Sequence, residues 1–250
     1  MLCDSHLIPA AAFKILRAQG SKNPHPIMFG EATAFSSSLQ MRDYLLCRDC
    51  EELFHKNGED WVMANCYRSI KTFALRDALQ KATPKYQAEG VTVYAAAQIP
   101  GVNCPALIYF ALSVFWRAGV HTWKLGSNPH HNDLGPYEEP IRLFLLGAGF
   151  PDNVCLSTRV SGLDSLHERL LLPFSERGNG YHMHCFGIPG LMFTLHVGKR
   201  IPKAFYHLST APNLERVVAM FPEAEMEELR AAGRVARSVR APKGYPDEDK

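Results

Sequence analysis

The sequence predicts an α+β fold in which several helices pack against a mostly antiparallel sheet. Two runs rich in β-branched and aromatic residues, 181–188 and 191–197, flank the dipeptide Pro189-Gly190. A Pro-Gly pair between two such runs is typical of a β-hairpin. Other apolar stretches have helical length and begin at or near a proline, where helices commonly start. Hairpin strands accompanied by separate helices favour the α+β class.

The first part of the chain is expected to contain two helices separated by a loop and a short strand. Pro9 is tolerated in a first helical turn, and Gly20 and Gly58 are suited to end helices. Ser, Pro, Gly and Asn in the intervening stretch favour a loop because they compete with regular backbone hydrogen bonding. The expected elements are a helix over 9–19, a loop over 21–40, a strand over 44–46 and a helix over 49–56.

The rest of the chain is expected to form a larger α+β domain of unknown role. The predicted helices cover 70–81, 105–120, 137–146, 213–221 and 223–240, and the predicted strands cover 91–97, 154–158, 181–188, 191–197 and 204–208. We place a boundary near Asn65. The predicted organisation is therefore a small module over 1–65, a domain over 66–240 and a disordered tail over 241–250.

Composition and charge exclude several classes of protein. The chain has 250 residues, of which 46% are hydrophobic, so it can bury a full core. Lys and Arg together number 27 against 25 acidic residues, and this net charge of +2 gives no global basic surplus for nucleic acid. The longest apolar stretch, 105–116, is far shorter than the roughly 20 residues that cross a bilayer. It predicts a buried helix, and no membrane role.

The cysteine content predicts a reducing compartment. There are 7 cysteines, an odd number that does not suit a disulfide framework. The N-terminus also lacks the basic segment, apolar run and small-residue cleavage site of a secretory signal. We therefore expect a cytoplasmic protein.

One pair of cysteines has the spacing of a metal site. Cys47 and Cys50 form a Cys-x-x-Cys motif just before the helix predicted over 49–56. This spacing lets two thiolates bind one tetrahedral zinc ion while the chain turns. A redox pair would need a thioredoxin-like βαβ context, which these flanks lack, although a redox or uninvolved pair stays an alternative. The motif predicts structural zinc.

Two segments together resemble a known family. The stretch Cys3-Asp-Ser-His6-Leu-Ile-Pro9, followed after the predicted loop by Leu45-Leu-Cys47-Arg-Asp-Cys50-Glu51, resembles the zinc-bearing HNH endonucleases of the ββα-metal kind. Further along, 112–118 and 134–142 resemble the C-terminal region of an uncharacterised group of such proteins. The resemblance implies a treble-clef-like N-terminal module in which two strands and a helix build one site.

The activity implied by this resemblance is metal-dependent hydrolysis of DNA or RNA. His6 would take a proton from the attacking water, and Asp4 or Ser5 would lie beside it. A catalytic Mg²⁺ or Mn²⁺ would stabilise the leaving oxygen, with Glu51 and His55 near the cation. Residues four apart share a helix face, which fits this role for Glu51 and His55. A structural zinc would be held by Cys3, Cys47 and Cys50.

Other assignments of the same residues remain open. Cys3-x-x-His6 together with Cys47 and Cys50 has the ligand types of a closed Cys₃His zinc site, and a coordinated His6 could not act as a base. His6 could also be a plain structural histidine. Glu51 occupies the place where the family usually has histidine, and Arg42 or Asp43 that of its central asparagine. The second prediction is therefore a non-cleaving zinc module that binds nucleic acid or a protein partner.

Three further groups of residues are candidate sites. His130 and His131 lie in a turn-rich loop and are expected to be solvated, with metal binding as the alternative. His182 and His184 should share one strand face, opposite Cys185, and could chelate a metal as a pair. The last predicted helix carries a basic stripe that consists of Arg230, Arg234, Arg237 and Arg240. The stripe either binds the phosphates of a nucleic acid or is simply a solvent-exposed helix face.

Overall fold

The computed structural model describes residues 1–17, 27–29, 34–36, 39–69, 72–88, 90–162 and 169–221. These residues form helices and strands in one mixed arrangement, which confirms the α+β class. The helices are α1 (Ala10–Leu16), α2 (Arg48–Phe54), α3 (Asp60–Asn65), α4 (Ala74–Lys81), α5 (Cys104–Val120), α6 (Glu138–Leu145) and α7 (Lys203–His207). A π-helical turn, His55–Glu59, joins α2 to α3.

The strands build one large sheet and two small ones. They are β1 (Leu2–His6), β2 (Ile27–Phe29), β3 (Ala34–Ser36), β4 (Arg42–Cys47), β5 (Tyr86–Ala88), β6 (Val91–Ala95), β7 (Trp123–Leu125), β8 (Asn128–His130), β9 (Val154–Ser161), β10 (Arg169–Arg177), β11 (His182–Ile188), β12 (Leu191–Val197) and β13 (Val217–Phe221). The nine-stranded sheet has the order β3-β2-β10-β11-β12-β9-β13-β6-β5, and β1-β4 and β7-β8 are two-stranded. Only the β2–β10 and β9–β13 neighbours in the large sheet are parallel.

The predicted hairpin lies at the centre of the large sheet. Ile188 of β11 faces Leu191 of β12, so only two residues form the turn. Gly190 has φ 76°, and a Cβ there would lie 2.7 Å from the ring of Phe73. Glycine is required at this position both by the left-handed backbone and by the close approach of Phe73. The prediction of a hairpin at Pro189-Gly190 is confirmed.

Helix α5 is the centre of the hydrophobic core. It is apolar on all sides, as expected for a helix surrounded by other elements. Phe110 packs on Phe186 and Phe193 of the large sheet, with ring centroids 6.0 and 5.6 Å away. The same core includes Leu7 and Phe54 from the N-terminal part. The hydrophobic core therefore continues across position 65, and the domain boundary placed there stays a prediction.

The structure corrects the predictions for two neighbouring segments. The expected strand over 204–208 is the short helix α7, which begins directly after Pro202, a residue suited to a helix start. The expected helix over 213–221 ends instead in strand β13, which lies between β6 and β9. β-branched Val217 and Val218 are both buried there and fit a pleated sheet. Tertiary pairing overrides the helical pattern at this position.

Some predictions need adjustment or fall outside the described residues. The loop expected over 21–40 contains strands β2 and β3, and the helix expected from residue 70 begins at Ala74. The helix predicted over 223–240, its arginine stripe and the tail over 241–250 lie outside the described residues. Within the described part of the chain, no helix is both long enough and apolar enough to cross a bilayer.

The helix that follows the Cys-x-x-Cys motif does not end near Gly58. The π-helical turn carries it past Gly58 into α3, which ends at Asn65. Gly58 is buried, and a Cβ there would lie 2.8 Å from the backbone nitrogen of Phe110. The absence of a side chain therefore allows the π-helical turn to approach α5 closely, which is why this glycine does not act as a helix stop.

Gly58→Ala is expected to destabilise the protein, although alanine is the better helix former. Its methyl group would meet the backbone of Phe110, which cannot rotate away, and overpacking of this kind costs about 1–3 kcal/mol. Urea unfolding measures the change. Gly149→Ala is the matched control because no heavy atom lies within 4 Å of its added Cβ. Equal stability of the two variants would contradict the packing role of Gly58.

Candidate functional site

Strands β1 and β4 and helix α2 form a compact strand–strand–helix unit. The two strands are antiparallel, with Asp4 facing Tyr44 and His6 facing Arg42. Residues that face each other across antiparallel strands project from the same side of the pair. Cys47 ends β4 and also caps α2, so the helix follows the strand directly. The unit thus brings the two motifs of the sequence together.

His6 lies at the end of β1 and is half-buried. Its backbone oxygen accepts a hydrogen bond from Nη1 of Arg117 at 2.7 Å. Burial lowers the pKa of His6, and the charges of Arg42 and Arg117 add to this lowering, whereas Asp4 and Glu51 oppose it. The net effect keeps the imidazole neutral at neutral pH. A neutral imidazole can accept a proton, as a general base must.

Glu51 reaches back from α2 to strand β1. Its carboxylate accepts a hydrogen bond from the hydroxyl of Ser5, and the Ser5 Oγ accepts a hydrogen bond from the backbone nitrogen of Leu46 at 3.1 Å. Ser5 is only 1% exposed. The structure therefore places Glu51 and Ser5 together, beside the strand end that carries His6. The sequence indicated Ser5 only as a neighbour of the base.

Asp4 and His55 are directed elsewhere. Asp4 forms an exposed ion pair with Arg42, with 3.6 Å between Oδ2 and Nη1. His55 pairs with Asp60, with 2.8 Å between Nδ1 and Oδ1. Glu51 and His55 keep regular α-helical spacing, since the His55 N–H bonds to the Glu51 oxygen, but the π-helical turn that begins at His55 brings Asp60, five residues further on, next to its imidazole. The pairing with Asp60 follows from that turn.

The three cysteines predicted to bind zinc are all half-buried and free of disulfides. Cys47 accepts a hydrogen bond from the backbone N–H of Cys50, which lowers the pKa of its thiol, and the Cys50 thiol adds to this effect. Burial raises the pKa of Cys50. The two thiols therefore influence each other's pKa, as neighbouring side chains do. Cys3 lies on β1, next to Leu2, which faces Cys47.

The fit of these residues to metal ions is incomplete. In the described ranges, no group of three or more His, Cys, Asp or Glu side chains is placed to hold a metal ion. Cys47 and Cys50 fit one edge of a tetrahedral zinc site, since their thiols converge. Cys3, on the neighbouring strand β1, is the candidate for a third position. Glu51 is hydrogen-bonded to Ser5, and His55 is paired with Asp60.

Arg117 is the residue near the site that motif analysis missed. Its side chain is 2% exposed, and its Nη2 lies 2.7 Å from Oε1 of Glu59 in the π-helical turn. Its Nη1 holds the His6 backbone oxygen, and its guanidinium lies over the ring of Phe54 at 5.7 Å. Arg117 thus ties β1, the π-helical turn and α5 together. A lone arginine inside an apolar helix was the sequence signal, because buried charges require partners.

The other candidate residues lie outside the strand–strand–helix unit. His131 is exposed, with Nδ1 3.3 Å from the backbone oxygen of His121. His130 is half-buried, and burial lowers its pKa. His182 and His184 share one face of β11, with ring centroids 6.4 Å apart. The neighbouring Cys185 contacts Thr194.

Two buried histidines predict sensitivity to acid. Burial lowers the pKa of His184 and of His196 from 6.5 to about 4. Between these values the unfolded chain binds protons that the folded chain does not, so stability is full above pH 6.5 and is lost as the pH falls towards 4. Each histidine contributes up to about 1.4 kcal/mol per pH unit in that window.

Urea unfolding at several pH values tests this expectation. His196→Leu should flatten the loss of stability between pH 6.5 and 4, because the substituted side chain cannot bind a proton in the unfolded state. His207→Leu, at an exposed position on α7, is the control and should leave the slope as it is in the unmodified protein. An unchanged slope in His196→Leu would contradict a low pKa for His196.

Comparison with known proteins does not identify a function for these residues. No family model, curated protein or solved structure matches the chain. Its function must therefore be inferred from the side chains of the strand–strand–helix unit and their surroundings.

Proposed function

We propose that the chain is a metal-dependent endonuclease of the HNH type that hydrolyses phosphodiester bonds in DNA or RNA. The observation that carries this proposal is His6, a half-buried imidazole of lowered pKa at the end of β1. It stands in a strand–strand–helix unit with a carboxylate, Glu51, on the helix. This combination supports a base that works on water at neutral pH.

Each side chain near His6 has its own role in this proposal. His6 takes the proton of the attacking water, and the nearby negative charge of Glu51 stabilises the imidazolium that forms. Ser5 fixes Glu51 by its hydrogen bond, and Arg117 fixes the backbone of His6. A Mg²⁺ or Mn²⁺ ion would supply charge stabilisation at the phosphate. Because the described residues do not gather three ligands for it, no protein ligand set is assigned to that ion.

We further propose that Cys47 and Cys50 hold a structural zinc ion, with Cys3 as a third ligand. Protein purified without added metal should then contain close to one zinc ion per chain, and Cys50→Ser should lose it and weaken the N-terminal unit. Cys155→Ser, at a buried position on β9, is the control and should retain zinc. Elemental analysis that finds no zinc in folded protein would remove this part of the proposal.

A second function has its own supporting observation. The polar groups expected around a catalytic cation are already paired, Glu51 with Ser5, Asp4 with Arg42 and His55 with Asp60. Such internal pairing favours a unit that keeps the strand–strand–helix structure but does not cleave nucleic acid. The second candidate is therefore a non-catalytic module that binds nucleic acid or a protein partner.

Cleavage assays on single-stranded DNA, duplex DNA and RNA, each with Mg²⁺ or Mn²⁺, separate the two candidates. Cleavage that disappears in His6→Ala while zinc is retained supports the endonuclease. Loss of zinc in His6→Ala would instead identify His6 as a structural ligand, since a coordinated imidazole cannot act as a base. Binding without cleavage by the unmodified protein would favour the second candidate.

A further inference from the structure

A second group of polar side chains lies far along the chain from the strand–strand–helix unit, between β11 and the segment after β8. His184 of β11 is fully buried, and its Nδ1 lies 3.1 Å from Oδ1 of Asn132. Asn132 is itself only 2% exposed. A carboxamide oxygen can only accept a hydrogen bond, so Nδ1 of His184 carries the proton. Its Nε2 is then an unprotonated nitrogen with a free lone pair.

That free nitrogen has no hydrogen-bond partner among the described residues. The Nε2 of His184 and the Nδ2 of Asn132 are both buried without a partner there. Buried polar atoms in folded proteins nearly always have a partner, so an unpartnered acceptor of this kind points to a position where a ligand can bind. The lone pair of His184 Nε2 is therefore not used by any described residue.

A second imidazole lies beside the first. His182 is two residues earlier on β11, so both side chains project from the same face of the strand. Their rings are 6.4 Å apart between centroids and inclined by only 18°. His182 is exposed, which gives the pair access to solvent. Asp133, which is adjacent to Asn132 and also exposed, adds a negative charge that interacts electrostatically with His184.

We propose that His182 and His184 together bind a transition-metal dication such as Zn²⁺, Ni²⁺ or Cu²⁺, with Asn132 orienting His184. These ions prefer imidazole nitrogen, whereas Mg²⁺ and Ca²⁺ prefer oxygen ligands. A histidine that binds metal through one ring nitrogen usually donates a hydrogen bond from the other, as His184 does to Asn132. The site is independent of the strand–strand–helix unit and of the proposed nuclease function.

The coordination sphere of this site is open. In the described part of the chain no third His, Cys, Asp or Glu side chain is close enough to complete it. Water or an external ligand therefore fills the remaining positions. To share one ion, the two rings must move slightly closer together, and the exposed His182 is the side chain that moves. The site consequently binds metal more weakly than a closed structural zinc site does.

The test is a titration of the full-length protein with Zn²⁺, followed by ¹⁵N NMR of the histidine side chains. Before metal is added, His184 should show a protonated Nδ1 and an unprotonated Nε2. Zn²⁺ should then shift the Nε2 resonances of both His182 and His184. Because each ring is observed separately, zinc bound at the cysteines does not interfere.

His182→Ala is the decisive variant, because an exposed residue can be replaced without disturbing the fold. It should weaken the Zn²⁺ response of His184 by at least the roughly 10–100-fold that loss of an outer-sphere partner costs. His207→Ala, at another exposed histidine, should leave that response unchanged. A protonated Nε2 on His184, unmoved His182 and His184 resonances, or an unchanged affinity in His182→Ala would each overturn the proposal.

Discussion

Arg117→Met is expected to lower the free energy of unfolding by about 3–5 kcal/mol, the usual cost of breaking a buried ion pair by removing one partner. The substitution leaves the Glu59 carboxylate, which is only 18% exposed, without the guanidinium that lies 2.7 Å away. It also leaves the backbone oxygen of His6 without its donor. Methionine keeps most of the apolar volume beside Phe54, so the loss reports on charge and hydrogen bonding.

Arg142→Met is the matched control for this prediction. Arg142 is likewise paired with a carboxylate, that of Glu139, through two contacts of 2.7 and 2.8 Å, but its side chain is 42% exposed. Exposed ion pairs contribute about 0–1 kcal/mol, so this substitution should have little effect. Urea unfolding of both variants measures the difference. A loss below about 1 kcal/mol in Arg117→Met would contradict the role given to Arg117.

The same experiment bears on the organisation of the chain. Because Arg117 of α5 holds β1 and the π-helical turn, its loss should weaken the attachment of the N-terminal residues to the core. A single unfolding transition in the unmodified protein would indicate one cooperative unit. Two transitions, of which only one shifts in Arg117→Met, would instead support a boundary near Asn65.

His6→Ala is expected to reduce nucleic-acid cleavage by about 100-fold or more, the usual contribution of a general base. Since burial lowers the pKa of His6, cleavage by the unmodified protein should rise with pH below 6.5 and level off at neutral pH. His55→Ala is the control, because the His55 side chain is exposed and paired with Asp60. That variant should keep most of the activity. Equal loss in both variants would contradict the assignment of the base.

The elements predicted best from sequence have strong local signals. The β11–β12 hairpin has a turn dipeptide whose glycine is required by the backbone, and α5 is too long and too apolar to be anything but a buried helix. Strand β10 gave no such signal, because Pro173 interrupts it. The register of β10 against β11 shifts between Leu171 and Phe174, a bulge that accommodates this proline.

The elements predicted wrongly are decided by partners distant in sequence. Strand β13 is fixed by its neighbours β6 and β9, which lie far away in the chain. Gly58 suits a helix end by local rules, but its role depends on the backbone of Phe110, which only the folded chain brings near. Local patterns contain no information about such contacts.

The candidate site shows the same division. The motifs predicted that Cys47, Cys50, Glu51 and His6 would lie in one small unit, and the structure places them on β1, β4 and α2. The pairing of His55 with Asp60 could not be predicted, because it follows from the π-helical turn. The role of Arg117 could not be predicted because it lies 111 positions after His6, although its charge within α5 is evident in the sequence.

The most direct test of the central claim is the cleavage of single-stranded DNA, duplex DNA and RNA by the unmodified full-length protein, with Mg²⁺ or Mn²⁺ at neutral pH. We expect metal-dependent cleavage of at least one of these substrates, with His6 as the base that sets its pH dependence. Failure to cleave any of the three with either cation, by folded protein, would contradict the claim that this chain is a nuclease.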